Sequence, residues 1–416
     1  MKAPRYLALV LAALPAFAGN TDAWLDQVDE ALTVGAAHDT FRLRLSGTLD
    51  LEDYHFQDPA PGLIFADGPA LFNPRLTLYL DGQWGAHVYL FAEARADRAF
   101  DPTDEGTQLR LEEYAVRITP WLGRHFSVQL GKFAIVIGNW VGRHDSWNNP
   151  FVTAPLPYEN LTGVWDAAAP RSVDTLLAWA HVTPASASGY GYGDKYRRLP
   201  IIWGPSYASG ASVSGGTDRL DYAVEVKNTT PSSRPEVWDA TQTQWQHPTV
   251  SGRLGFRPDE MWNLGVSASV GSYLRPMAQS SLAPGTSLAD YRELLVGQDL
   301  AFAWHHVQFW SEVYGARFAI PRVGNADTAA YYLEVKYKFT PQFFGALRWN
   351  QQFFGTLPEP GGAAVRWGRN VWRLDLAPGY RLSAHAQLKL QYSLQHEEAP
   401  AARLEHLGAL QFTVRF

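Results

Sequence analysis

Cysteine is absent from the 416-residue sequence, and methionine occurs only three times. The absence of cysteine excludes disulfides, thiolate metal sites and cysteine nucleophiles. It also suits a chain that passes through an oxidising compartment, where free thiols would pair or oxidise.

Long apolar runs are missing beyond the first 18 residues. The best internal candidate, 133–142, lies between Lys132 and Arg143 and is too short, because a membrane-spanning helix needs about 20 apolar residues. We therefore predict no transmembrane helix in this part of the chain. Neither sign of charge dominates, since the formal net charge is only −6, and the sequence contains no basic cluster. Nucleic acid is therefore not an expected partner.

The first 18 residues have the pattern of a secretory signal peptide. Lys2 and Arg5 precede an apolar run over 6–17, and Ala16-Phe17-Ala18 supplies the small-x-small pattern of a cleavage site. The run is too short to span about 30 Å of hydrocarbon. We expect cleavage after Ala18, which places the mature chain outside the cytoplasm.

Aromatic residues are abundant, with 16 Trp, 19 Tyr and 21 Phe, yet the mean hydropathy is slightly negative at −0.21. This combination disfavours a helical membrane protein. It is typical of a β-barrel with an apolar lipid-facing surface, aromatic girdles and a polar interior. A secreted β-sandwich has a similar composition, so both remain open at this point.

From Phe41 onward apolar and polar residues alternate with period two, as in half-buried strands. The clearest case is 384–395, where apolar positions from Ala386 to Leu394 oppose polar positions from His385 to Gln395. Connections of two lengths alternate strictly, as periplasmic turns and extracellular loops do. The prediction is a transmembrane antiparallel up-and-down β-barrel over 40–416, all-β, with about 18 strands and 16 as the alternative. Two of the 18 are placed at 161–168 and 172–182.

The third long connection, 138–160, is predicted to fold into the barrel as a constriction. Arg143, His144 and Asp145 would set its ion preference, and Trp140 and Trp147 would stack on sugar-like solutes. An ordinary surface loop is the alternative. His144 beside Asp145 is not a catalytic or metal constellation, so no catalytic residue, metal ion or cofactor is predicted.

Ionisable residues at polar strand positions are predicted to line the lumen. The two signs are mixed with a slight basic excess, which equally fits ion pairs across the lumen or a transverse field on the solute. The lumen-facing charges are predicted to include Arg42, Arg44, Glu93, Arg95, Arg117, Glu334, Lys336, Lys338, Arg373 and Lys389.

The last stretch, 408–416, alternates and ends on Phe416. It resembles the closing strand of Gram-negative outer-membrane β-barrels, whose final Phe is read by the barrel-assembly machinery. The segment Val128-Gln129-Leu130-Gly131-Lys132-Phe133 resembles a strand end of general and phosphate-selective porins. The resemblance implies a porin of the cell outer membrane, in contact with its lipid, that passes small hydrophilic solutes or ions passively, as a homotrimer. The basic ladder of the phosphate-selective members is not evident.

Residues 19–39 are predicted from their own pattern to be an N-terminal periplasmic helical segment, with Thr21 as the cap of a short amphipathic helix. Trp24, Val28 and Leu32 would share its apolar face. A frayed leader is the alternative for this segment.

Two rival functions follow from the same barrel. One is a sheath for a partner protein such as an outer-membrane electron-transfer cytochrome. The other is an outer-membrane enzyme, although no residue spacing points to one and we expect none. A closed barrel requires that the strand ending at Phe416 pairs with the strand beginning near Phe41. An open sheet edge in hydrocarbon would leave backbone N–H and C=O groups without hydrogen bonds.

Overall fold

The segments with alternating apolar and polar residues form strands of one large antiparallel sheet. The computed structural model describes residues 21–36, 40–57, 60–66, 68–97, 108–121, 123, 125–181, 197–235, 245–358, 362–399 and 404–416. The predicted signal peptide lies outside these residues.

A helix, α1, covers 21–31 and is followed by the short strand β1, Thr33–Ala36. Barrel strands β2 to β9 are Phe41–Phe56, Ala70–Trp84, Val88–Asp97, Gln108–Ile118, Ser127–Phe133, Ala208–Gly216, Leu220–Lys227 and Thr249–Phe256. Barrel strands β10 to β14 are Trp262–Ser272, Arg292–Trp304, Val307–Ile320, Gly324–Lys338 and Phe343–Phe354. A small hairpin, β15 Thr356–Pro358 and β16 Ala364–Arg366, precedes the last barrel strands, β17 Val371–Arg381, β18 Ala386–Glu397 and β19 Leu404–Arg415. The described residues between β6 and β7 include two short α-helices, α2 Leu156–Glu159 and α3 Val173–Ala180.

Each barrel strand pairs antiparallel with its neighbours, and β19 pairs with β2 to close the ring. Within the described residues the barrel has 16 strands, with β1 as an extra strand on the edge of β2. The predicted fold class is confirmed, with the lower of the two strand counts. No helix among the described residues has the length and apolar composition of a membrane span.

The predicted pairing of the final strand with the first is confirmed. Leu49 lies opposite Val414, and Gly47 and Phe416 exchange two backbone hydrogen bonds of 2.9 and 3.0 Å. The ring of Phe416 covers Gly47, where an added Cβ would lie 2.6 Å from the ring. Glycine is therefore required at this position for the two strand ends to meet.

The predicted strands at 161–168 and 172–182 are wrong. Residues 161–168 are irregular apart from one bridge between Trp165 and Arg198, and residues 173–180 form α3. Ser172 ends the extended stretch because its hydroxyl accepts the backbone N–H of Thr175 at 3.3 Å and caps the helix. The described part of the connection between β6 and β7, 134–181 and 197–207, consequently contains no barrel strand, whereas the sequence predicts two loops separated by a hairpin.

One end of the barrel carries the short connections, after β3, β5, β7, β9, β11, β13 and β17, and we call it the short-turn end. The other end is the long-loop end. The connection between β12 and β13 is an exception to the predicted alternation of lengths, because it lies at the long-loop end and comprises only 321–323.

The two faces of the sheet differ sharply. On β2, Asp50 and Glu52 face inward and are 1% and 0% exposed, whereas Leu49 and Leu51 are 40% and 38% exposed on the outside. The same alternation recurs around the barrel. It gives the apolar exterior that a bilayer-spanning barrel requires.

The N-terminal helix lies against the short-turn end. Asp29 pairs with Arg44 at 2.9 Å and Asp26 with His385 at 2.9 Å. The predicted apolar face is partly wrong: Leu25 is the buried residue, and Trp24 is exposed. The helix is held by the Asp29–Arg44 ion pair, by the hydrogen bond between Asp26 and His385, and by the pairing of β1 with β2.

Candidate functional site

Residues 134–181 and 197–207, which we call the interior segment, pack against the inner face of the barrel. It contains a 3-10 turn at Val141–Arg143, then α2 and α3. Its apolar side chains bury themselves with inward-facing residues of β10 to β14 in one cluster. The fully buried members include Ile137, Tyr158, Leu199, Ile201, Ile202 and Trp203 of the segment with Leu295, Phe318 and Tyr332 of the wall.

The start of the segment is fixed by a buried carboxylate. Glu312 accepts hydrogen bonds from the backbone N–H groups of Asn139 at 2.5 Å and Trp140 at 2.8 Å, and from the Tyr158 hydroxyl at 2.5 Å. Several donors on one carboxylate satisfy a charge that would otherwise be costly to bury. This contact ties the chain leaving β6 to the far wall at β12.

Gly138 permits that contact. Its φ is +75°, and a Cβ at this position would lie 2.3 Å from the Tyr314 hydroxyl and 2.7 Å from Glu312 Oε1. Only glycine adopts this backbone without strain and leaves that space.

Arg143 binds the same side of the barrel. Its guanidinium lies 2.5 Å from Glu334, 3.2 Å from the Tyr332 hydroxyl and 4.2 Å from the ring centre of Trp310. All polar partners are on the wall, so Arg143 anchors the segment.

The middle of the segment is held by two arginines of the wall. Arg348 donates to the carbonyl of Thr153 at 3.0 Å, and Arg373 donates to the carbonyl of Ala154 at 2.5 Å and pairs with Glu159. Both arginines also pair with Asp375, at 2.8 and 3.0 Å.

Lys389 of β18 holds the turn at 146–151. Its Nζ lies 2.7 Å from the carbonyl of Ser146, 2.9 Å from that of Asn149 and 3.2 Å from that of Phe151. Three carbonyl acceptors match the three N–H donors of an ammonium group. Nearby, Trp147 is buried with the guanidinium of Arg415 4.1 Å from its ring centre.

Opposite these anchors the interior segment leaves a cavity of about 90 Å³ against β2, β3 and β4. Trp140, His144 and Asp145 line it from the segment. Asp50, Arg75, Thr77, Tyr79, Glu93 and Arg95 line it from the wall. The structure thus brings three of the five predicted constriction residues to this cavity, whereas Arg143 and Trp147 lie in the anchoring contacts.

A wider cavity of about 510 Å³ opens at the short-turn end, and we call it the vestibule. Its lining includes Asp81, Tyr89, Glu113 and Arg117. Tyr79 and Glu93 belong to the walls of both the narrow cavity and the vestibule. The two spaces are therefore neighbours, and together we call them the route.

Ion pairs along β2 to β5 engage Arg75, Arg95 and Arg110 of this wall. Arg75 lies 3.1 Å from Asp50 and 2.6 Å from Glu52, and Arg95 lies 2.9 Å from Asp97. The next pair of strands continues the pattern: Arg110 lies 3.0 Å from both Asp97 and Glu112.

A β-bulge adds a carboxylate to the wall. Glu93 lies opposite Glu113 and Ala94 opposite Leu111, so Glu112 is an extra residue in β5. The bulge breaks the alternation and turns both consecutive glutamates inward. Glu112 pairs with the arginines, and Glu113 accepts the Ala134 N–H at 2.5 Å.

The histidine of the predicted constriction is partly buried. Burial lowers the pKa of His144 below its usual value, despite the opposing effect of its hydrogen bond to the Val141 carbonyl. Its ring nitrogens lie 2.6 Å from that carbonyl and 2.9 Å from the Tyr207 hydroxyl. The neighbouring Asp145 accepts the N–H groups of Trp147 and Asn148 at 2.9 and 2.8 Å. No group of three potential metal ligands occurs in the described part of the chain.

The predicted lumen charges lie in three places. Glu93 and Arg95 line the narrow cavity and Arg117 lines the vestibule, while Arg42, Arg44 and Lys338 are exposed near the short-turn end. The others, Glu334, Lys336, Arg373 and Lys389, lie on the inner face of β13, β17 and β18, and all but Lys336 form anchoring contacts to the interior segment.

Sequence reasoning did not single out Arg75, Glu112 or Glu113 as lumen groups. A sequence signal for Arg75 did exist, because it lies on the same strand face as Thr77 and Tyr79, two and four residues further along. The bulge had none, because two consecutive glutamates read equally well as one inward and one outward residue.

No family model and no curated protein sequence matches the chain. Solved structures do. The outer membrane channel DcaP of Acinetobacter baumannii aligns with a TM-score of 0.57 at 10% identity, over 92% of this chain and 100% of that one. An anion-selective porin from Comamonas acidovorans aligns at 0.53 and 10% identity, over 90% and 100% of the two chains. OmpT of Vibrio cholerae in its trimer form aligns at 0.55 and 8% identity, over 91% and 100%.

The chain has the fold of an outer-membrane porin. The similarity covers nearly the whole of this porin-like barrel at 8–10% identity, so it is a likeness of architecture. The chemistry of the route must therefore be argued from this chain's own residues.

Proposed function

We propose that this porin-like barrel is a passive channel of the outer membrane, in which small hydrophilic solutes or ions diffuse between the interior segment and the wall formed by β2 to β5. The observation that carries the proposal is the narrow cavity and the vestibule meeting at Tyr79 and Glu93. The short-turn end would face the periplasm, as in barrels generally.

The narrow cavity would act as the constriction. Its volume of about 90 Å³ is much smaller than the 510 Å³ of the vestibule, so it is the narrower of the two spaces. Carboxylates and guanidinium groups on its walls would create a local field that favours polar over apolar solutes. Asp145 and Trp140 would contribute from the segment, and Asp50 and Arg75 from the wall.

Packing inside the barrel argues against a sheath for a partner protein. A polypeptide in the lumen would have to displace the interior segment, whose apolar core with β10 to β14 is fully buried. It would also break the contacts of Glu312, Arg143 and Lys389. The space left along β2 to β5 is far smaller than a folded domain.

The remaining parts of the proposal follow from the porin likeness and the sequence. Residues 1–18 would be removed as a signal peptide, and Phe416 would be read by the barrel-assembly machinery. The barrel would assemble as a homotrimer through its outer surface, in line with the trimer form of its structural relative from Vibrio cholerae. The helix at 21–31 would lie at the periplasmic mouth.

Conductance in planar lipid bilayers tests the proposal. Purified protein, shown to be folded by its heat-modifiable migration in detergent gels, is expected to give stepwise currents of uniform size. Folded protein that inserts into the bilayer and gives no current would refute a passive channel.

A further inference from the structure

We propose that the vestibule is a binding site for neutral carbohydrates, in which the rings of Tyr89 and Phe91 support one face of a sugar ring. The inference rests on the proposed channel function and names the class of solute that the channel takes. It assigns the aromatic contact with the solute to β4, at the short-turn end of the barrel.

The tryptophans of the interior segment are already engaged by groups of the protein. Trp140 is buried, and its ring centre lies 4.4 Å from that of Tyr158. Trp147 is also buried, and the guanidinium groups of Arg415 and Arg381 lie 4.1 and 5.2 Å from its ring centre. Little surface of either ring is left for a solute, so an aromatic surface has to come from the barrel wall.

Strand β4 carries such a surface on its inner face. Tyr89 and Phe91 alternate with the outward-facing Val88 and Leu90, and both line the vestibule and are half-buried. Their ring centres lie 5.8 Å apart with 28° between the ring planes. Inner positions that face water in a barrel are usually polar. The two rings therefore form an apolar strip within an otherwise polar wall.

Arg117 is fixed beside this strip and keeps hydrogen-bond donors free. Its guanidinium carbon lies 5.7 Å from the ring centre of Tyr89 and 5.8 Å from that of Phe91. Its Nε donates to Gln129 at 3.0 Å. No described residue forms an ion pair with Arg117 or accepts a hydrogen bond from its terminal nitrogens. These N–H groups are available to the hydroxyl oxygens of a solute.

Further polar groups surround the strip. Ser212 and Ser214 line the vestibule, and their hydroxyls form no hydrogen bond with a described residue. Asp81 accepts the Tyr89 hydroxyl, and Glu113 accepts one backbone N–H. A carboxyl group has more acceptor sites than these, and it accepts a hydrogen bond from a hydroxyl in either protonation state. A polyhydroxylated solute would thus find both donors and acceptors beside the rings.

Groups of both signs in one small space favour a neutral solute. The guanidinium of Arg117 would repel a cation that approached the rings, and the carboxyl groups of Asp81 and Glu113 would disfavour an anion. A sugar ring fits what remains. The C–H bonds of one face pack on the negative face of an aromatic ring, while the hydroxyls form hydrogen bonds at the edge. The vestibule volume of about 510 Å³ lies within the range of about 300–1,000 Å³ for small-molecule sites.

Single-channel currents in planar bilayers test the inference, with D-glucose as the probe. Glucose should reduce the wild-type current with a saturating dependence on concentration, because a filled vestibule obstructs the ions. Phe91→Leu, which keeps apolar bulk but removes the ring, should raise the half-blocking concentration about tenfold. Phe91→Tyr, which keeps the ring, should stay near wild type. The matched control is Phe344→Leu, because Phe344 is an aromatic residue of the inner wall, with the Lys336 ammonium 4.1 Å from its ring centre, and lies outside the route. This control should leave the half-blocking concentration unchanged.

The outcomes are distinct. A current that falls only in proportion to the viscosity of the glucose solution, equally in wild type and Phe91→Leu, would overturn the inference and leave the channel function intact. Equal weakening in Phe91→Tyr and Phe91→Leu, or in Phe344→Leu and Phe91→Leu, would show that the ring at position 91 has no special role and would also overturn it. Folded, inserted protein without channels would overturn the proposed function together with the inference.

Discussion

The contact of Lys389 with the turn at 146–151 offers the sharpest structural perturbation. Lys389→Met keeps the length of the side chain and removes all N–H donors from three backbone carbonyls. Ser146, Asn149 and Phe151, whose carbonyls are released, also line the narrow cavity. The substitution therefore acts on the width of the constriction without altering a residue of the route.

The magnitude follows from the bonds lost. A hydrogen bond involving a charged group contributes about 1.5–3 kcal/mol, and three bonds to one ammonium are not additive. We expect the observed position of the 146–151 turn to lose about 3 kcal/mol of free energy relative to displaced positions. The ratio of the two populations then changes about 150-fold. The rest of the segment should stay in place, because the contacts of Glu312 and Arg143 are untouched.

Single-channel recording measures the effect. Lys389→Met channels should show excess open-channel noise and a larger mean conductance than wild type, whereas Lys338→Met, at an exposed lysine of the short-turn end, should show neither. A Lys389→Met channel with wild-type conductance and noise would refute the idea that this turn bounds the constriction.

Two further substitutions test the glycines that permit close approach. Gly138→Ala should lower the temperature at which the folded form is lost in gels, because its Cβ would lie 2.3 Å from the Tyr314 hydroxyl at a φ of +75°; an unchanged temperature would mean that the start of the interior segment is not held as described. Gly47→Val should reduce the yield of folded barrel, because the side chain would meet the ring of Phe416 at 2.6 Å; a wild-type yield of heat-modifiable protein would contradict the role of Gly47 in closing the ring.

The barrel could be predicted from sequence because the pattern that specifies it is present within each strand. Lipid outside and water inside impose a period of two on every strand, and connections of two lengths give the direction. The pairing of β19 with β2 follows from the need to satisfy both edges. These features require no knowledge of what fills the lumen.

The strand count failed at 161–168 and 172–182 for a physical reason. With both ends of the chain on one side of the membrane, the number of strands must be even. Both 16 and 18 strands meet this condition, so it could not reveal the two wrong strands. The helix at Val173–Ala180 did carry a signal, the cap at Ser172, but its apolar content also fits a short strand.

Sequence reasoning placed only 138–160 of the interior segment inside the barrel, because apolar residues form the same pattern in lipid and in a protein core. Leu199-Pro200-Ile201-Ile202-Trp203 fits a lipid-facing strand, and the structure buries its apolar side chains inside the barrel. The roles of the charged residues were missed for a similar reason. The sequence shows that Lys389 and Arg143 are cations, but it does not show that backbone carbonyls bind Lys389 and that a carboxylate binds Arg143.

The central claim is that solutes pass between the interior segment and the wall of β2 to β5, and single cysteines test it most directly, since the chain has none of its own. Thr77 lines the narrow cavity, whereas Ala330 is packed in the apolar core on the opposite side. A charged thiol reagent applied to open channels should reduce the current through Thr77→Cys and leave Ala330→Cys unchanged. Block of Ala330→Cys with an unaffected Thr77→Cys channel would contradict the account.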